Sequence, residues 1–433
     1  MKALIHITLC LITAGTCFSQ EPSKILLVNG HLHVGNGETL ESALIAIEDG
    51  KILFVKNSLA YSYNPEEWDT IVKLEGRHIY PGFVAPNSTL GITEIDAVRA
   101  TRDYDEVGIY NPHVRSQIAF NVESKVVRTV RTNGVLISQA TPQGGVISGS
   151  SSVMKLDGWN WEDATISEDD GIHLNWPSSL RNHHSKKKDS KPANKEYEDG
   201  KKEIYDFFAM AEAYARTPES QKKHDARLTA MRACFKGDKR VYIHANDLQQ
   251  LVDVIEFAKH FNLKFPVVVG GYDAYLIGRK LADSKIPVML TRPHSLPENE
   301  EDDVDLPYKL PFLLHESGVK FCIQNEGDME AMNARNIPFL AGTAAAYGLT
   351  EEEAISAISL WSCEILGIDK DYGSLEKGKS ATLFVSDGNA LDMRSNNIFL
   401  GLIDGVFMPV GNSQSALYEK YQKKYAEQKK AEH

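Results

Sequence analysis

Val241-Tyr242-Ile243-His244-Ala245 is followed, over residues 247–261, by apolar side chains at Leu248, Leu251, Val252, Ile255 and Ala258. The first run is short, apolar and rich in β-branched and aromatic residues, as in a buried strand. The second has the spacing of a helix with one apolar face. The same alternation returns at Gly82-Phe83-Val84-Ala85, Gly134-Val135-Leu136-Ile137-Ser138, Pro266-Val267-Val268-Val269, Pro287-Val288-Met289-Leu290 and Val319-Lys320-Phe321-Cys322-Ile323. Repeated strand–helix units call for a parallel sheet, and a closed α/β barrel accommodates about eight of them best.

Working outward, the rhythm changes at both ends. Ile25-Leu26-Leu27-Val28 closes on Asn29-Gly30. Ala43-Leu44-Ile45-Ala46-Ile47-Glu48 closes on Asp49-Gly50, before Lys51-Ile52-Leu53-Phe54-Val55. Such pairs between apolar runs mark hairpins. Ala381-Thr382-Leu383-Phe384-Val385 and residues 398–408 read the same way. Residues 180–230 begin basic and polar, from Arg181 to Lys188, and then turn helical around Ile204, Phe207, Phe208 and Ala211, as an insert. Residues 413–433 form a charged helix or tail.

The 433 residues are 42% hydrophobic and 24% charged, with a net charge of −12. This composition excludes disorder, and an acidic surface offers no general field for a phosphate backbone, so no nucleic acid is expected as partner. Met1-Lys2, the apolar stretch 3–15 and Cys17-Phe18-Ser19 read as an export signal cut after Ser19. A lipoprotein reading needs Cys17 as the new N-terminus, and Thr16 before it fits that poorly. No later run is long enough to span a bilayer, so the product is expected to be periplasmic or secreted. Cys234, Cys322 and Cys363 remain, an odd number without CxxC spacing. They read as buried apolar side chains rather than a disulfide framework or a zinc knuckle.

Tyr80-Pro81-Gly82-Phe83-Val84-Ala85-Pro86-Asn87-Ser88-Thr89-Leu90-Gly91 resembles the opening of an amidohydrolase-superfamily barrel. Gly348-Leu349-Thr350-Glu351-Glu352-Glu353-Ala354, Leu366-Gly367-Ile368 and Tyr372-Gly373-Ser374-Leu375-Glu376-Lys377-Gly378-Lys379-Ser380-Ala381 resemble its closing helix and its return to the chain-end strands. The resemblance is nearest to imidazolonepropionase-like members. It implies a (β/α)8 TIM-type barrel over 81–377, with the insert near 180–230. It also implies a composite β-sandwich built from 20–80 plus 378–412.

The resemblance further implies a divalent metal at the C-terminal ends of the strands. A His-x-His pair ends the first strand, single histidines end the fifth and sixth, and an aspartate ends the eighth. The metal activates a water and the aspartate moves its proton. Here Asn87 and Thr89 stand at the first-strand positions, with Ala85 before them. His244 is retained on the fifth strand. Gly270 and Gly271 close the sixth, where only a substrate-binding role is left. Asn325 falls at the eighth-strand position, with Glu326 beside it as the one group able to serve as a base. Neither Asn nor Thr holds zinc well. His244 alone cannot, so no cofactor is expected unless zinc or another divalent ion is rescued by ligands such as His113, His173 or His294, each of which reads as a surface or loop histidine.

Lys155 is a third candidate catalytic group, beside Asn325 and Glu326, or else a surface lysine. Ser148-Gly149-Ser150-Ser151-Ser152 reads as a flexible loop at the barrel mouth. His31-Leu32-His33 is a true His-x-His whose rings share one face of a strand, but it precedes the barrel. The expected function is a hydrolase of non-peptide C–N bonds with impaired or lost metal-dependent catalysis. The alternative is a non-catalytic relative that binds a small molecule or stabilises an intact amidohydrolase homologue in a homo- or hetero-oligomer. Asn87, Thr89, His244 and Asn325 are expected to converge at one mouth.

Overall fold

The computed structural model describes residues 24–179, 193–221 and 223–431. The expected export signal, residues 1–19, and the basic run 181–188 lie outside them. No helix among the described residues is long and apolar enough to cross a membrane.

The chain begins with five strands, β1 (Lys24–His33), β2 (Thr39–Glu48), β3 (Lys51–Asn57), β4 (Thr70–Lys73) and β5 (His78–Pro81). Asp49 and Gly50 join β2 to β3 with φ of 49° and 78°, the two left-handed residues of a type I′ turn.

Eight strands follow in sequential order in a second sheet. They are β6 (Phe83–Ser88), β7 (Val135–Ala140), β8 (Ile147–Lys155), β9 (Thr165–Asn175), β10 (Arg240–Ala245), β11 (Pro266–Gly270), β12 (Val288–Leu290) and β13 (Phe321–Ile323). This sheet nearly closes into a barrel. Val84, Ile137, Val153, Tyr242, Val267, Val269, Met289 and Cys322 make one buried cluster, so side chains of β6 and β13 share a core although the two strands are not paired. Cys363, Ile365 and Leu366 of the Leu360–Leu366 helix, with Ile368, join the same cluster.

The expected repetition of parallel βα units breaks at β8, which runs antiparallel to both β7 and β9. Only residues 141–146 separate β7 from β8, too few for the crossover a parallel neighbour requires. Elsewhere the expected helices are present. The insert contributes Ala193–Arg216, which buries Ile204, Phe207, Phe208 and Ala211. Leu248–His260 starts on a capping box between Asp247 and Gln250 and buries Leu251, Val254, Ile255 and Ala258. Leu248, read as part of the apolar face, is instead exposed in its first turn. All three cysteines are free and buried.

The chain then returns to the first sheet as β14 (Leu383–Ser386), β15 (Ile398–Ile403) and β16 (Val406–Met408), giving the order β16-β15-β14-β5-β1-β2-β3 with β4 also paired to β1. The described part of the tail is the Ser413–Ala431 helix. Asp404-Gly405 forms a second left-handed turn, with φ of 48° and 78°. A Cβ on Gly50 would sit 2.6 Å from the Asp404 carbonyl oxygen, so the two turns abut. Gly50→Ala is therefore expected to combine left-handed strain with a backbone clash and to destabilise the chain by about 2 kcal/mol. A urea midpoint unchanged from wild type would contradict this packing.

Candidate active site at the barrel mouth

Side chains two residues apart on a strand share a face, so each inner-layer residue is followed by a second inward group nearer the C-terminal edge. Gln139 follows Ile137, His244 follows Tyr242, Thr291 follows Met289 and Gln324 follows Cys322. The first of these build a polar layer around Asp170. Its Oδ2 accepts from Tyr242 Oη (2.6 Å) and Gln139 Nε2 (2.9 Å), and its Oδ1 accepts from Ser151 Oγ (2.8 Å). Gly171 leaves room for the tyrosine ring, since a Cβ there would lie 2.1 Å from Tyr242 Cε2. Burial pushes the Asp170 carboxyl up, against the pull of those three donors.

The barrel seam lies above this layer. Asn87 Nδ2 donates to Gln324 Oε1 at 2.6 Å, and the Asn87 backbone N–H donates to Gln139 Oε1 at 3.0 Å. Asn87 reaches both from a left-handed backbone with φ of 49°, which Asn tolerates better than most residues. Thr89 donates from both N and Oγ1 to Glu330 Oε2, at 2.7 and 3.0 Å. The sequence reading placed Asn325 at the eighth-strand position. Parity corrects it: Gln324 shares the inner face with Cys322, while Asn325 Nδ2 points to the Glu330 carbonyl at 3.3 Å. Glu326 lies beside Gln324, whose Nε2 donates to it at 3.1 Å. Burial raises its carboxyl, countered by hydrogen bonds from Thr291 and Gln324 and by the charge of Arg292.

His244 does not stand alone. Its Nε2 lies 3.0 Å from Nδ1 of His173, near the C-terminal end of β9, and the His173 ring stacks on Tyr242. His173 was read as a surface or loop residue, but it is fully buried. β9 enters the barrel instead of skirting it. Burial lowers both imidazoles, His244 to about 4, so the pair is neutral at neutral pH. Asn87, Thr89 and Asn325 thus meet at the seam through Gln324 and Glu330, and Gln139, Asp170 and Tyr242 link that seam to the hydrogen-bonded His173–His244 pair.

Other expected members fall elsewhere. Lys155 lies at the opposite end of the barrel, paired with Asp404 at 3.1 Å, because β8 runs backwards and carries its C-terminal residue away from the mouth. Ser148, Gly149, Ser150, Ser151 and Ser152 are not a mouth loop but buried strand. Gly270 and Gly271, read as substrate contacts, have φ of 100° and 67°. A Cβ on Gly270 would strike Asn246 Oδ1 at 2.2 Å, so they serve the strand-to-helix turn. His113 and His294 are exposed. Gln139, Asp170, Gln324 and Glu330 escaped the sequence reading. Only the i+2 spacing from an apolar strand residue could have flagged Gln139 and Gln324.

The sequence matches no family model and no curated relative. Its structure, however, is similar to an amidohydrolase from Thermotoga maritima MSB8, with a TM-score of 0.76 at 23% identity over 89% of this chain and 100% of that one. The chain has the amidohydrolase fold. It is also similar to a zinc-bound adenosine deaminase from Xanthomonas campestris (TM-score 0.53, 13% identity, 93% and 98% covered). A molinate hydrolase gives 0.53 at 12%, with 90% and 95% covered.

The metal that an amidohydrolase fold implies does not fit this mouth. His173 and His244 supply two imidazoles, but among the described residues no third imidazole, thiol or carboxylate oxygen joins them within reach of a shared ion. Burial raises Glu330 to about 7, above the effect of its bonds from Ser88 and Thr89, so it can hold or release a proton near neutrality. A cleft of about 390 Å³ opens beside it, lined by Thr89, Arg102, Tyr104, Gln143 and Glu330.

Because the folded carboxyl keeps its proton up to about pH 7 and the unfolded one releases it near 4.5, stability falls as pH rises through that window. Glu330→Gln is expected to flatten the profile. Its stability relative to wild type should rise by on the order of 2 kcal/mol between pH 4.5 and 8. Urea unfolding at the two pH values reads this, and parallel profiles would refute it.

Proposed function

We propose that this chain is an exported amidohydrolase-superfamily relative in which metal-dependent hydrolysis of non-peptide C–N bonds is impaired or lost. It then works by binding a small molecule at the mouth, alone or as the partner of an intact homologue. One observation carries this reading. Where the resemblance calls for a first-strand imidazole and an eighth-strand carboxylate, two neutral amides, Asn87 and Gln324, are hydrogen-bonded to each other at 2.6 Å. An amide neither holds zinc well nor accepts a proton at neutral pH. The cleft beside Glu330 falls within the size range of small-ligand sites, and Arg102 and Tyr104 give it a cation and an aromatic ring among the carboxylates of Asp96, Asp328 and Glu330.

Metal analysis and assay of the purified chain on cyclic amides and dipeptides test the reading. No zinc that depends on His244 and no zinc-stimulated turnover are expected. Near-stoichiometric zinc abolished by His244→Ala, with turnover that follows it, would restore the ordinary hydrolase.

Parity gives a sharper check. Asn87→His, Thr89→His and Gln324→Asp together are expected to create His244-dependent zinc binding at least ~10-fold tighter than in the same set with Asn325→Asp. Histidine is among the residues that tolerate the left-handed backbone at 87. Equal affinities for the two sets would show that the eighth-strand position has been misassigned.

A further inference from the structure

The His-x-His outside the barrel has a third partner that sequence spacing does not show. His31 and His33 lie on one face of β1, and β5 runs parallel beside it with His78 in register with His31. One ring nitrogen from each of the three lies within 4.8 Å of the others, and among the described residues this is the one such group of potential ligands. His33 Nε2 and His78 Nδ1 are 3.0 Å apart. Nitrogens about 2.0–2.1 Å from a tetrahedral zinc ion stand roughly 3.4 Å from each other, so this pair needs to open by only a few tenths of an ångström.

A second observation concerns how the central ring is held. His33 is buried, and its Nδ1 lies 2.6 Å from Glu352 Oε1. A carboxylate can only accept there, so the proton sits on Nδ1 and the lone pair of Nε2 faces His78. This is the carboxylate–histidine arrangement that orients metal-bound imidazoles. The ring is also clamped face to face on Tyr80, with centroids 4.3 Å apart and planes 5° apart. The other carboxylate oxygen, Glu352 Oε2, is buried with no partner among the described residues. His31 and His78 are only partly buried, which leaves the group open to an ion and to a water or exchangeable fourth ligand.

We propose that His31, His33 and His78 bind one divalent zinc-class ion, with Glu352 orienting His33. The site joins the chain-end sheet to the Glu351–Ala357 helix that follows the barrel. Its all-imidazole donor set suits zinc, copper or nickel and rejects magnesium or calcium. It is independent of the reading of the barrel mouth.

The test uses the full chain stripped with a chelator and titrated with zinc, by calorimetry and by cobalt(II) absorption as a coordination signature. One ion per chain is expected, with a rise in melting temperature of roughly 2–5 °C at saturation. His33→Ala and His78→Gln should each weaken binding more than ~10-fold, and Glu352→Gln by about 10-fold or more while the three ligands remain. His31→Gln, at a partly exposed position, serves if the buried variants fail to fold. His244→Ala should leave this binding unchanged. Failure to bind zinc more tightly than about 100 µM, or binding that survives the His31, His33 and His78 changes, overturns the proposal. Binding lost only in His244→Ala would overturn the barrel reading as well.

Discussion

The barrel is held shut at its seam by side chains. β6 and β13 do not pair through their backbones, so nothing in the ladder of main-chain hydrogen bonds joins the first strand to the last. That junction rests on the Asn87–Gln324 amide pair, on the two bonds from Thr89 to Glu330, and on the apolar cluster shared by Val84 and Cys322. A buried amide is costly unless both its donor and acceptor are used. Here Gln324 spends its oxygen on Asn87 and its nitrogen on Met289 and Glu326. Asn87, Thr89 and Gln324 are thereby committed to closing the sheet.

The same constraint organises the layer below. Asp170 is buried and answered by three donors from three other strands, so its removal would strand Gln139, Ser151 and Tyr242 together. Networks of this kind stabilise only when fully satisfied. The reversed strand β8 makes this one possible. It places small serines, rather than bulky apolar groups, against Asp170, and it sends Lys155 to the far end of the barrel. The loss of an expected site residue and the gain of the buried network have one topological cause, the short link over residues 141–146.

Two groups of imidazoles sit in contrasting settings. His173 and His244 face each other inside the barrel with no third ligand in reach among the described residues, and desolvation keeps both neutral. His31, His33 and His78 meet on the neighbouring inner strands β1 and β5 of the other sheet, with a carboxylate behind the central ring. Sequence spacing ranks them the other way. A histidine ending a barrel strand looks like a ligand, and a His-x-His in a leading hairpin looks incidental. Position in three dimensions reverses that order, because a metal site needs several donors converging on one point.

Much of the architecture was legible from local patterns. The apolar runs, the helical period after Ala245, the Asp49-Gly50 turn and the amphipathic insert around Phe207 and Phe208 are dictated by side-chain periodicity and by backbone preferences that act over a few residues. That Asn87 and Thr89 are poor zinc ligands was equally plain, since it is a matter of side-chain chemistry alone. The direction of β8, the inward parity of Gln324 over Asn325, the burial of His173 and the meeting of His78 with His31 and His33 were decided only by the tertiary structure. Each depends on which strands become neighbours and in what register, and a shift of one residue turns a side chain to the opposite face.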